Sequence, residues 1–180
     1  IVDLLTELAG CVTMMVRISR SKRAAVRHSL FQPLALLEME WDERPRANFQ
    51  RPKAVQVAVP FCSLPFDAAK SCIALFLAEV LHHSVRNEPD ARLLYNYIAR
   101  SVEWLDTCTQ GYANFHLVFL LHLAHFLGFM PNVEEAAPGD YFDLRAACFV
   151  PQQPPHPDFL TPTDAALVPK LMRMRYDSMR

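Results

Sequence analysis

The stretch that decides the fold is Ile1-Val2-Asp3-Leu4-Leu5-Thr6-Glu7-Leu8-Ala9-Gly10-Cys11-Val12-Thr13-Met14-Met15-Val16-Arg17-Ile18-Ser19-Arg20-Ser21-Lys22-Arg23. Two apolar runs rich in β-branched residues, 1–6 and 11–18, flank a short turn that ends on Gly10. Glycine supplies the positive φ such turns need, so the stretch reads as a β-hairpin. Its second strand runs into Arg17, Arg20, Lys22, Arg23 and Arg27, with His28 adjacent, and no acidic residue occurs between Leu8 and Leu37. Like charges this close repel unless something anionic approaches, and Arg forks and Lys ammonium groups suit phosphate oxygens. These five residues form a candidate nucleic-acid surface that would hold a backbone without reading its sequence. A solvated loop that carries charge for solubility is the other reading of the same run.

Working outward, residues 30–41 and 54–59 are two more strand-like runs, joined by a connection over residues 42–53. That connection holds Arg44, Arg46, Arg51 and Lys53 around Phe49. Basic residues interleaved with an aromatic are the pattern of single-strand binders, where bases stack on rings. Asp42 and Glu43 dilute the charge here, so a plain surface loop is the preferred reading.

From Pro60 the apolar spacing lengthens from two to about 3.6, which marks a change from strand to helix. The Pro60 to Phe66 stretch is the junction, and two regions follow, residues 1–62 and residues 63–180. Asp67 is placed to cap a first helix with Ile73, Phe76, Leu77, Val80, Leu81 and Ser84 on one face, ending before Pro89. Asp90 is placed to cap a second helix with Leu94, Tyr97, Ile98, Ser101, Val102 and Leu105 on one face. A third, over residues 113–127, is apolar on nearly every side, as a central buried helix would be, and Gly128 with Pro131 ends it. A short aromatic segment, a proline-dense connector and a helical pattern over residues 163–179, kinked or restarted at Pro169, complete the chain.

With 52% hydrophobic residues and four glycines in 180, the chain can bury a core, which excludes wholesale disorder. The formal charge of −1 hides an uneven distribution. Residues 1–53 carry nine Lys or Arg against six acidic residues, and residues 54–180 carry nine against thirteen. Five scattered cysteines without a CxxC pair suggest neither a disulfide framework nor a zinc knuckle, and a reducing cytoplasm fits them. The longest apolar stretch, residues 117–130, is broken by His122 and His125 and is shorter than the roughly 20 residues a membrane span needs. The chain opens on Ile1 with no signal peptide ahead of it, and an absent amino-terminal piece is expected.

For catalysis, no glycine-rich phosphate loop and no nucleophile in a strained turn is visible, so no enzyme, cofactor or resident metal is expected. His116, His122 and His125 sit at spacings that let two imidazoles share a helix face, but no further ligand stands at helical spacing. Glu134-Glu135 reads as a solvated pair. The Phe- and Leu-rich helices leave open a groove where an amphipathic or acidic peptide could dock.

The order Thr6-Glu7-x-x-Gly10, Arg20-Ser21-Lys22-Arg23 and Phe31-Gln32-Pro33-Leu34 resembles the signature of the RecO family of bacterial recombination mediators. Lys70-Ser71-x-Ile73-Ala74-Leu75-Phe76-Leu77-Ala78-Glu79-Val80-Leu81, Asn114-Phe115-His116-Leu117, Leu127-Gly128-Phe129-x-Pro131-Asn132 and Tyr141-Phe142-Asp143-Leu144 resemble its Bacteroidetes-type members. The resemblance implies an α+β protein: an OB-fold β-barrel over residues 1–62, its first strand missing from this chain, followed by an all-helical carboxy-terminal domain over residues 63–180. It further implies a nucleoid-associated cytoplasmic mediator of the RecF pathway that binds single- and double-stranded DNA and anneals complementary strands. Such a mediator associates with RecR and with the carboxy-terminal tail of SSB, and helps RecA load. The motif carries Arg20, Lys22 and Arg23 over as DNA-binding residues, with Arg17 and Arg27 joining by proximity. The family's four-cysteine zinc spacing is absent, so zinc is not implied. A helical protein-interaction or ligand-binding module without DNA affinity is the alternative.

Overall fold

Thr6 shows how local the first hairpin is. Its hydroxyl donates to the Gly10 carbonyl at 2.9 Å and accepts the Ala9 amide at 2.9 Å, closing a three-residue loop that Gly10 leaves with φ +64°. Strands β1 (Val2–Thr6) and β2 (Gly10–Met14) pair antiparallel with Thr6 opposite Gly10. The expected strand over residues 11–18 stops at Met14, and Ile18 lies outside the described residues. A computed structural model describes residues 1–17, 28–85, 91–129 and 131–176. They divide into two compact units, Ile1–Thr109 and Gln110–Arg180.

In the first unit the expected strand over residues 30–41 is cut short. Gln32-Pro33-Leu34-Ala35 is a tight turn in which the Ala35 amide donates to the Gln32 carbonyl at 3.1 Å and Leu34 adopts φ +59°. Proline in the second position with a positive φ in the third is the type II arrangement, and a leucine accepts some strain to fill it. Only β3 (Leu37–Trp41) remains extended, and it pairs antiparallel with β4 (Pro52–Val57), with a bulge at Glu40/Trp41.

The two hairpins meet at a parallel bridge between Met14 and Gln50. There the Gln50 amide donates to the Thr13 carbonyl at 3.0 Å and the Met15 amide donates to the Gln50 carbonyl at 2.9 Å. The pairs β1-β2 and β3-β4 are separate two-stranded sheets linked by that one bridge, and among the described residues they do not close into a barrel.

Helix α1 (Ala68–Ser84) starts where expected, with the Asp67 carboxylate accepting the Ala69 and Lys70 amides. Its buried face overlaps the predicted one in part: Lys70, Ala74 and Leu77 are buried, the predicted Ile73, Val80, Leu81 and Ser84 are half-buried, and Phe76 is 46% exposed. The cause is in the residues, because apolar side chains spread around the helix give periodicity little to choose between. Helix α2 (Ala91–Thr107) has a sharply one-sided pattern, and of its predicted stripe Leu94, Ile98, Ser101, Val102 and Leu105 are buried and Tyr97 is half-buried. The expected cap Asp90 lies outside the described residues.

In the second unit, α3 (Phe115–Phe126) buries Phe115, Val118, Phe119 and Leu123, while Leu117 and His125 are exposed, so it is buried on one face rather than all round. It ends in a Schellman arrangement: the Gly128 amide, at φ +80°, donates to the His125 carbonyl and the Phe129 amide to that of Ala124.

The expectation that residues 63–180 are all helical is corrected here. Strands β5 (Tyr141–Asp143), β6 (Cys148–Val150) and β7 (Phe159–Leu160) form an antiparallel sheet in the order β6-β5-β7. Each is too short to display a period of two over the four to eight residues that reveal a strand. Asp143 turns the chain from β5 to β6 by accepting the Arg145 and Ala146 amides, and the Asn132 side chain accepts the Phe149 amide at 2.6 Å along β6. The helical pattern expected over residues 163–179 is two short helices, α4 (Pro162–Ala165) and α5 (Val168–Arg173), each with a proline in its first turn. Phe142, Phe149, Ala165 and Val168 form the core beneath this sheet.

Candidate nucleic-acid interface

Of the five residues predicted to hold nucleic acid, Arg17 stands exposed three residues past the end of β2. Arg20, Lys22, Arg23 and Arg27 lie outside the described residues. Met14, which ends β2, is fully buried, and the chain emerges from it through exposed Met15 and half-buried Val16 to exposed Arg17. The packed wall of the first unit therefore delivers the start of the basic run directly to solvent.

The bridge at Met14 brings a second set of charges to the same place. Residues 42–51 return from β3 to Gln50, and the Gln50 side chain closes the loop on itself. Its Oε1 accepts the Arg44 amide at 2.9 Å and its Nε2 donates to the Arg44 carbonyl at 3.0 Å. The Ala47 amide donates to the Arg44 carbonyl to form the turn inside. Arg44, Arg46, Phe49 and Arg51 are exposed. Lys53 is not part of this group, because its ammonium is paired with Asp42 at 2.6 Å. Side-chain hydrogen bonding to Asp42 holds the Lys53 pKa above its ordinary value.

A buried polar node that the sequence reading did not single out stands at the junction between strands and helices. Lys70 is 3% exposed, and its ammonium donates to the Ser63 hydroxyl at 2.6 Å, the Cys108 carbonyl at 2.6 Å and the Asp106 carbonyl at 2.9 Å. Three protons thus meet three acceptors. Asp106, 5% exposed, accepts the amides of Cys62, Ser63 and Leu64 at 2.7–2.8 Å, and the Ser63 hydroxyl donates to the Asp106 carbonyl. Burial opposes the Asp106 charge, but the three amides and the Lys70 ammonium outweigh it and hold its carboxyl below the usual carboxylate value. The junction between strands and helices is thereby clamped to both α1 and α2. The signal was present in part: a lysine three residues after a helix cap, the one lysine or arginine in that helix, and an aspartate ending the buried stripe of α2.

Other candidates separate from this region. His122 is half-buried, with Nε2 3.4 Å from the Met172 carbonyl, and His125 is exposed beside Phe126. Among the described residues no three His, Cys, Asp or Glu side chains stand together as a metal would need, and no helix is long and apolar enough to cross a membrane. Burial pushes the Cys108 thiol up, away from the thiolate form a nucleophile requires. An apolar cavity of about 320 Å³ lies in the first unit, lined by Pro33, Leu36, Val57, Phe61, Leu64 and Leu75 among others. It sits between the strand region and α1 rather than in a groove between helices.

Residues 65–170 match the family described as "Recombination protein O C terminal". Over 180 residues the chain is 46% identical to the "DNA repair protein RecO" of Bacteroides fragilis, covering 99% of this chain and 74% of that one. It is 44% identical over 179 residues to the protein of the same name from Phocaeicola vulgatus, with the same coverage. It is 32% identical over 158 residues to that of Flavobacterium psychrophilum, covering 88% of this chain and 65% of that one.

Proposed function

Because the chain belongs to the RecO family of DNA repair proteins, we propose that it binds single- and double-stranded DNA through the basic run that leaves β2 and acts as a non-enzymatic recombination mediator. Its work would be charge neutralisation. Phosphates of two strands are held close by Arg17, Arg20, Lys22, Arg23 and Arg27, which lowers their mutual repulsion so that complementary strands can pair. The observation that carries this reading is the exit of the chain from the buried Met14 into exposed Met15 and Arg17, at the head of a run without any acid.

The strand segment, residues 1–62, is read as an OB-type barrel wall. Two hairpins joined by one parallel bridge support this, and β1 and β3 each keep an edge without a strand partner among the described residues. A fifth strand between those edges would close it. The protein is proposed to associate with RecR and, through residues 63–180, with the carboxy-terminal tail of SSB while RecA loads, in the cytoplasm on the nucleoid. The start of the family match at residue 65 supports that boundary.

The test is charge reversal. Replacing Arg20, Lys22 and Arg23 together with Glu should abolish most binding of labelled single-stranded DNA in an anisotropy titration, and unchanged affinity would sink the proposal. The apolar cavity beside α1 favours a second reading, a docking module for an apolar peptide. Tight peptide binding by a chain with no DNA affinity would select it instead.

A further inference from the structure

The loop from β3 to β4 carries charge and an aromatic ring that the proposed function leaves unused. We propose that residues 44–51 form a second contact surface, selective for single-stranded nucleic acid, in which the Phe49 ring stacks on a base while Arg44, Arg46 and Arg51 hold the neighbouring phosphates. The assignment rests on the DNA-binding reading above and deepens it.

Three observations carry it. The first is charge. Asp42, which in the sequence dilutes the loop, is spent on Lys53 at 2.6 Å, so three arginines face Glu43 alone within residues 43–51. None of the three arginines has an ion pair among the described residues.

The second is order. Both hydrogen bonds of the Gln50 side-chain amide return to Arg44, and the Gln50 backbone is bonded on both sides to Thr13 and Met15. The loop is therefore tied across its neck and to β2, which removes much of the entropy a loose loop would lose on binding.

The third is exposure. Gln50 is the bridge partner of the buried Met14, and Phe49 and Arg51, one residue to either side of it, are exposed, as is Met15 next to Met14. Phe49 keeps 36% of its surface open there. A duplex keeps its base faces stacked on one another, so a ring in this position finds a free face only on a single strand. Arginine contacts to phosphate make no such distinction.

The experiment uses the whole chain, with fluorescein-labelled oligothymidylate and a duplex of equal length, read by anisotropy. Phe49→Ala should weaken oligothymidylate binding about tenfold or more while duplex binding stays within about twofold. Phe49→Trp should preserve binding, and the emission it adds to that of Trp41 and Trp104, taken as the difference from the unmodified chain, should be quenched by unlabelled oligothymidylate and not by duplex. Unchanged oligothymidylate affinity in Phe49→Ala, equal losses on both DNAs, or an unquenched difference signal in Phe49→Trp would each overturn the assignment. The two levels separate cleanly. If the unmodified chain binds no DNA, the broader reading falls too. If it binds DNA and loses it on reversal of Arg20, Lys22 and Arg23 while Phe49→Ala binds normally, the loop assignment alone falls.

Discussion

Thr6 and Asp106 organise the first unit through single side chains, one locally and one at a distance. The Thr6 hydroxyl works within four residues, so Thr6→Val should cost about 1 kcal/mol, the ordinary net value of a hydrogen bond, read as a lower urea midpoint with unchanged slope. Asp106 acts over more than forty residues of sequence, and its charge has a pH signature. In the unfolded chain its carboxyl takes up a proton near the ordinary value of 3.8, whereas the folded environment delays uptake to lower pH. The stabilisation is therefore fully present above that value and is lost as pH falls through the lower folded one. Asp106→Asn should destabilise by about 2 kcal/mol at neutral pH, because the buried carboxylate that accepts the Cys62, Ser63 and Leu64 amides is replaced by a neutral amide with a single acceptor oxygen. It should also flatten the acid limb of stability against pH. An acid limb as steep as that of the unmodified chain, followed by urea unfolding between neutral and acid pH, would show that Asp106 does not set it.

At the scale of elements, α1 and α2 divide what pattern can reveal. The polar outer face of α2 makes its buried stripe legible residue by residue, whereas α1 spreads its apolar residues around the helix and its inner face is chosen by Lys70, the member with the most specific partners. In the loop over residues 42–51 composition counts Asp42 as a free acid, and only the tertiary structure shows its cross-loop pair with Lys53. Gln50 is the element's fastening. Gln50→Ala should leave global stability within about 1 kcal/mol, since both side-chain bonds are exposed, but should speed hydrogen exchange at the Arg44 amide well beyond that at β1 and β2. Unaltered exchange at Arg44 would mean that the turn holds without it.

For the whole molecule, the measurable consequence is salt dependence. The five phosphate contacts proposed for the basic run would give a slope of log affinity against log salt near −3.5, to within about a unit, on a single strand, and the three proposed for the loop would steepen it to about −5.6. Replacing Arg44, Arg46 and Arg51 together with Ala should thus make the slope shallower by about 2 in oligothymidylate titrations over a range of sodium chloride, and an unchanged slope would place the loop off the path of the strand. What residue order determined alone is whatever depends on near neighbours: the first hairpin through Thr6 and Gly10, the cap of α1 at Asp67, the stripe of α2, the stop of α3 at Gly128, and the acid-free basic run. Motif order carried the family beyond that, since matching residues recur along the whole chain. Tertiary structure decided the rest: the parallel bridge from Met14 to Gln50, the Lys70–Asp106 node and the sheet of β5, β6 and β7. Each joins residues distant in sequence, or strands only two or three residues long, and its stability comes from partners that no local window contains.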